Sequence, residues 1–197
     1  DGEKRVEEKT PDGAFLLELG SLCNNCTAEG KSIHGAPTEA AILRACGKQK
    51  TALEKLFPRV NEIAFTSSRK RMTTIHRIPQ GGYRIVTKGA PDVLLNYCSK
   101  WKTASGEEVL TPALRQKIQR KNEEMASRAL RVLGVAYRGT VQIPQGEAAE
   151  QGLVFCGLIG MIDPPREEVA KSVALCKSAG IRTVMITGDH LATARAI

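Results

Sequence analysis

Thr187-Gly188-Asp189 stands between a short apolar run, Thr183-Val184-Met185-Ile186, and a helical pattern that begins at His190. A strand that ends in such a turn and feeds a helix gives a place where anions collect. Ligands in open α/β sheets sit at carboxyl strand ends, and the helix start offers unpaired N–H groups. A hydroxyl, a glycine that allows close backbone approach, and a carboxylate suit a phosphoryl and magnesium site. A plain strand-to-helix turn with Asp189 as its cap accounts for the same three residues.

Two further stretches carry chemistry. Phe65-Thr66-Ser67-Ser68-Arg69-Lys70-Arg71-Met72 offers an aromatic face that can stack on a purine, cations that can meet phosphates, and a thioether. Equally, Phe65 and Met72 can be core residues and Arg69-Lys70-Arg71 a solvated turn. Lys88-Gly89-Ala90-Pro91 pairs a cation with two small residues that leave room for a flat ligand, although a helix start explains it without one. Gly30-Lys31-Ser32 is not a P-loop, because Asn25 stands where the first glycine of that cradle is required.

The elements that must position these groups fall into two styles. Thr38 to Cys46 is expected as a short helix that Thr38 could cap. Ile63–Phe65, Met72–Arg77 and Tyr83–Thr87 are expected as neighbouring strands, the last two joined by the Pro79-Gln80-Gly81-Gly82 turn. Helix is expected from Pro91 to Tyr97 and from Pro112 to about Ala129, then strands over Arg131–Tyr137 and Leu153–Ile162. Asp163-Pro164-Pro165-Arg166 breaks this style, since two prolines cannot sit in a central strand. Beyond it, Val169, Val173 and Cys176 share a helical spacing closed by Gly180, and Thr183–Ile186 is expected as a buried strand. The fold expected is α+β, an antiparallel sheet flanked by helices, followed by a partial α/β segment. Residues 1–162 form the first domain, and 163–197 form a hinge with part of a second.

Composition narrows the alternatives. Hydrophobic residues make up 42% and charged residues 25% of the 197, as in a globular fold, and no apolar run is long enough to span a bilayer. The six cysteines are scattered through candidate core elements and are expected as free thiols. Cys23 and Cys26 have metal-ligand spacing but lack a second pair to complete a site. A net charge of +8 favours polyanionic partners, nucleotide or nucleic acid, while 4% aromatic content provides no stacking platform for single strands.

Taken in order, these stretches resemble one family, the P-type cation-transporting ATPases of the calcium-pump-like branch, in their nucleotide-binding domain. Asp163–Arg166 is similar to that family's hinge and Met185–Asp189 to its phosphorylation-domain motif, which resembles the haloacid-dehalogenase fold. The resemblance implies ATP as ligand, with Phe65 stacked on adenine and Glu39, Lys70 and Met72 around it. It further implies Lys88 lining the pocket, Gly89 and Ala90 giving close approach, and Arg131 on the phosphates. Thr187, Gly188 and Asp189 would belong to the phosphoryl-transfer site. The family's phosphorylated aspartate lies in an Asp-Lys-Thr-Gly-Thr motif that these residues do not contain. The chain is therefore expected to bind ATP without turning it over, and to deliver the γ-phosphate to an aspartate elsewhere in a larger chain. Mg²⁺ would act in that parent, together with phosphorylation, actuator and transmembrane domains, and calcium would be the cargo. The domain would lie on the cytoplasmic side of a membrane, with no nucleic-acid partner. Two other readings are a soluble haloacid-dehalogenase-type phosphohydrolase, which needs an aspartate nucleophile near its amino terminus, and a basic nucleic-acid-binding module.

Overall fold

A computed structural model describes residues 10–29, 32–47, 50–144, 146–162 and 167–186. The first helix, α1 (Pro11–Leu22), starts where Thr10 Oγ1 accepts from the Gly13 amide at 3.2 Å and Pro11 fills the first turn. A small hairpin, β1 (Thr27–Glu29) and β2 (Ser32–His34), precedes two helices, α2 (Pro37–Cys46) and α3 (Lys50–Leu56). Then come β3 (Arg59–Ile63), β4 (Arg71–Arg77), β5 (Tyr83–Gly89), α4 (Pro91–Leu94) with a 3-10 turn to Tyr97, β6 (Cys98–Thr103) and β7 (Gly106–Val109). The chain continues through α5 (Pro112–Ala126), β8 (Arg131–Thr140), a 3-10 turn over Gly146–Glu150, β9 (Leu153–Met161) and α6 (Glu167–Ser178).

Seven strands form one sheet in the order β3-β4-β5-β8-β9-β6-β7. The first five pair antiparallel, and the hairpin through Pro79–Gly82 holds β4 to β5 in unbroken register from Arg71↔Gly89 to Arg77↔Tyr83. Gly81 and Gly82 both take positive φ there, which the turn demands. The sheet is mixed rather than wholly antiparallel as expected, because β6 runs parallel to β9. A helix and two strands separate β6 from β9, long enough for the crossover that parallel pairing requires.

Each face of the sheet buries its own core. Ile75, Ile85, Ala136 and Phe155 meet Leu94, Leu95 and Ile118 on the side of α4 and α5. Met72, Val86 and Val135 meet Leu19, Leu22, Leu53 and Phe57 on the side of α1 and α3. Alternation along each strand assigns its residues to one side or the other. Five strand ends therefore meet at one end of the sheet: Ile63, Arg71, Gly89, Arg131 and Met161.

The structure corrects several expectations. Thr38 does not cap α2; Ala36 holds that position with no side-chain bond, and Pro37 sets the first turn instead. Ala64 and Phe65 lie outside β3, since Arg69 Nη1 takes the Ala64 carbonyl that a strand would use. Helix α5 stops at Ala126, because Ala129 adopts a left-handed φ of 60° and turns the chain into β8. Thr183–Ile186 is neither strand nor buried: Met185 is 57% and Ile186 95% exposed. A buried parallel strand needs neighbours, and no described strand pairs with this segment. Helix α6 lies where expected, two residues short of Gly180. Asp163–Arg166 and Thr187–Asp189 lie outside the described residues. Among the described residues no helix is long and apolar enough to cross a membrane.

Candidate functional site

Met72 and Lys88 are direct cross-strand partners on β4 and β5, so their side chains leave the sheet on the same face. Lys88 also pairs with Val135 on β8, and Arg131 lies two alternations further along that strand on the same side. Helix α2 covers this corner. Its first-turn residue Glu39 receives the Lys88 ammonium on Oε1, and the Asn25 amide donates to Oε2 at 2.9 Å. Arg131 Nη1 donates to Thr38 Oγ1 at 3.3 Å. Glu39, Met72, Lys88 and Arg131 thus converge from three strands and one helix.

The floor of this corner is dry. Lys88 is 7% and Met72 3% exposed, and the fully buried Cys23 donates its thiol to the Met72 carbonyl at 3.4 Å. Burial pushes the Cys23 thiol up, against the pull of the Lys88 charge, so the sulfur stays protonated beside it. The loop that holds Asn25 is pinned from below by Lys50, whose ammonium donates to the carbonyls of Asn24 (3.0 Å) and Cys26. Burial holds the Lys50 ammonium below its ordinary range. Glu62 accepts from Asn25 Nδ2 at 3.0 Å and from Arg59 Nη1 at 2.9 Å, tying β3 to the same loop.

Phe65 and Lys70 lie at the same sheet end, on the turn between β3 and β4. Phe65 is 58% exposed, too open for a core residue, so its ring is presented to solvent. Lys70 takes a left-handed φ of 51°. Its amide donates to the Thr66 carbonyl at 2.8 Å, and its own carbonyl accepts from the Ala90 amide at 3.0 Å. That last bond requires Gly89 to lie flat against the turn. A Cβ on Gly89 would stand 2.5 Å from the Lys70 carbonyl oxygen and 2.9 Å from Arg71 Cα. Glycine is required here for an approach of backbone to backbone.

All eight expected binding residues thus occupy one end of the sheet, while Thr187, Gly188 and Asp189 lie outside the described residues. What the sequence reading missed is the ionic support behind them. Arg71, expected in a solvated turn, is 4% exposed, with its guanidinium 3.9 Å over the Tyr97 ring. It is bound by Glu150, a fully buried carboxylate. Neither Glu150 nor Glu147, three positions earlier, carries any local pattern that separates the buried one from the exposed one.

Chemically, this corner offers a dry thioether and aliphatic floor, an exposed aromatic ring, and cations at Lys70, Lys88 and Arg131. Such a combination suits a flat ring carrying a polyanionic tail. Among the described residues no group of three or more His, Cys, Asp or Glu could hold a metal ion.

Residues 13–168 match the family described as P-type ATPase, cytoplasmic domain N. The chain is 46% identical to calcium-transporting ATPase 1 of Bacillus cereus, over 93% of this chain and 21% of that protein. It is 39% identical to a calcium-transporting ATPase of Bacillus subtilis, over 99% of this chain and 23% of the relative. A sodium/potassium-transporting ATPase alpha-1 subunit of Catostomus commersonii is 34% identical over 93% of this chain and 20% of its own length. The chain therefore spans between a fifth and a quarter of the length of these relatives.

Proposed function

The chain belongs to the P-type ATPase family through its cytoplasmic domain N, and from that premise we propose that it binds ATP at the sheet end where β3, β4, β5 and β8 meet. The observation that carries this reading is the convergence of Glu39, Met72, Lys88 and Arg131 on one sheet face, at the sheet end where the exposed Phe65 follows β3. In this reading adenine lies on Phe65, whose ring supplies stacking worth ~1–3 kcal/mol. Met72 forms the floor, and Glu39, already an acceptor for the Asn25 amide, faces the purine edge. Ala90 lets the ligand approach the backbone, while Gly89 lets β5 approach the Lys70 turn. Lys88 lines the pocket, while Lys70 and Arg131 meet the phosphates as charge-assisted donors.

Arg131 is directly opposite Met161, the last residue of β9, so the phosphates would lie at the end where the chain leaves the sheet. Residues 1–162 act as the nucleotide-binding domain, and 163–197 form a hinge with part of a phosphorylation domain. Rotation about Asp163–Arg166 carries the γ-phosphate to an aspartate on another segment of the parent chain, where Thr187 and Asp189 assist. Catalysis there is mostly positioning and neutralisation of phosphate charge. Mg²⁺ would accompany the phosphates and offset part of that charge. The parent is an ATP-driven cation pump, and its cargo is calcium, as the names of the bacterial relatives suggest. The domain works on the cytoplasmic side of the membrane, beside actuator and transmembrane domains.

The test is a titration of this chain with ATP followed by two-dimensional NMR, with a hydrolysis assay on the same sample. Saturable shifts around Phe65, Lys70 and Lys88 without turnover are expected. An absence of shifts at millimolar ATP would overturn the pocket, and turnover by the chain alone would favour a phosphohydrolase.

A further inference from the structure

Glu150 is the only acidic side chain buried among the described residues, 81 positions from the first of its partners, Arg69. Its Oε1 accepts from Arg69 Nη2 and from the Thr73 hydroxyl at 2.6 Å. Its Oε2 accepts from Arg71 Nε at 2.8 Å and Nη2 at 2.7 Å. The Thr73 hydroxyl proton is committed to Glu150, so the Thr87 hydroxyl, 2.9 Å away, donates to Thr73. Burial pushes the Glu150 carboxyl up, but hydrogen bonds from Arg69, Thr73 and Arg71 outweigh it and hold the carboxyl below its ordinary range.

This cluster lies on the α4 side of the sheet, opposite the candidate pocket: Thr73 and Ile75 share a face of β4, and Arg71 stacks on Tyr97. Its side-chain bonds join Glu150 to Arg69, Arg71 and Thr73, and Thr73 to Thr87, while Met72 and Lys88 leave β4 and β5 on the other face. One member reaches round the sheet end. Arg69, besides its bond to Glu150, donates from Nη1 to the Ala64 carbonyl at 2.8 Å. That carbonyl belongs to the peptide unit that enters Phe65. The same turn is closed by the Arg69 amide on Thr66 Oγ1 at 3.2 Å and holds Lys70 in its left-handed conformation. Such a conformation persists only where surrounding bonds over-determine it.

We propose that Glu150 is a positioning residue for the nucleotide: acting through Arg69, it fixes the Ala64–Lys70 turn so that the Phe65 ring is set before the ligand arrives. The proposal rests on the nucleotide-binding reading above. An exposed ring on an untethered turn would lose conformational freedom on binding. A turn already fixed from behind loses less, and the difference appears as affinity.

The test is a double-mutant cycle on ATP affinity in the full 197-residue chain, with Arg69→Met and Phe65→Ala. Arg69→Met leaves the buried Glu150–Arg71 pair charge-balanced, and Arg69→Lys, which keeps the charge without the fork, serves if the first variant does not fold. Arg69→Met is expected to raise the Kd about fivefold alone and less than about twofold in the Phe65→Ala background. A merely structural clamp would lower the thermal midpoint without this dependence on Phe65. Equal effects in both backgrounds, or none, overturn the inference, while a loss of affinity in Phe65→Ala alone leaves the pocket standing. Failure of the unaltered chain to bind ATP removes the pocket and the inference together.

Discussion

The Lys88 ammonium lies against the Glu39 carboxylate, joining the end of β5 to the first turn of α2 across 49 positions of sequence. Both side chains are largely shielded, at 8% and 14% exposure, so neither charge is well solvated without the other. The pair holds a cation at this corner of the sheet in a fixed direction while leaving Glu39 Oε2 with the Asn25 amide. Replacing Lys88 with Met removes the cation proposed to line the pocket and strands the Glu39 carboxylate. ATP affinity measured by calorimetry should fall about tenfold or more, equivalent to ~1.4 kcal/mol. Unchanged affinity would mean that Lys88 serves only to anchor α2.

Phe65 separates binding from stability. At 58% exposure its ring contributes little to the core, so Phe65→Ala should change the unfolding free energy by less than about 0.5 kcal/mol. The same substitution should weaken ATP binding by ~1–3 kcal/mol if adenine stacks on the ring. Urea unfolding and calorimetry on one preparation would read both, and a large loss of stability would return Phe65 to the core.

Gly89→Ala tests the approach of β5 to the Lys70 turn. The added methyl would meet the Lys70 carbonyl oxygen and Arg71 Cα, both backbone atoms that cannot rotate away. Destabilisation of ~1–3 kcal/mol is expected, together with loss of the amide protection of Ala90, whose N–H is bound to that carbonyl. Protection equal to the parent's in hydrogen exchange would show that the strands can part without cost.

His76 predicts an acid limb. Its Nδ1–H donates to the Phe57 carbonyl at 3.0 Å, so its Nε2 accepts from the Thr74 hydroxyl at 2.9 Å, and the ring is neutral. Burial holds its pKa down to about 4, below the ordinary 6.5. The unfolded chain therefore binds more protons between these values. The contribution of His76 is fully present above about pH 6.5 and is lost as pH falls through about 4, a swing on the order of 3 kcal/mol. Urea midpoints measured from pH 7 to pH 4 should fall less steeply for His76→Gln than for the parent, and parallel curves would assign the limb to other groups.

Much of the fold was legible locally. Thr111-Pro112 opens α5, with Thr111 Oγ1 accepting from the Leu114 amide at 3.3 Å. Thr10-Pro11 opens α1 by the same device, a signal the sequence reading passed over. The Pro79–Gly82 turn was legible because two glycines in a row after a proline leave the chain few other conformations. The strand expected over Tyr83–Thr87 runs two residues further, so Lys88 and Gly89, expected as the approach to a helix, are its last residues. The strand expected over Thr183–Ile186 failed because an apolar tetrad states only that it can be buried, and burial depends on a neighbour.

By itself the sequence determined α5, α6, the β4–β5 hairpin and the motifs that carry the family, because turn chemistry and alternation act over a few residues; α1, α3 and the β6–β7 hairpin were not read from it. Tertiary structure alone decided which charges are buried. Arg71 rather than Lys70 lies under the sheet, and Glu150 rather than Glu147 receives it. The reason is physical: a carboxylate tolerates burial only where several donors surround it, and these donors come from one strand, β4, nearly eighty positions away, and the turn before it.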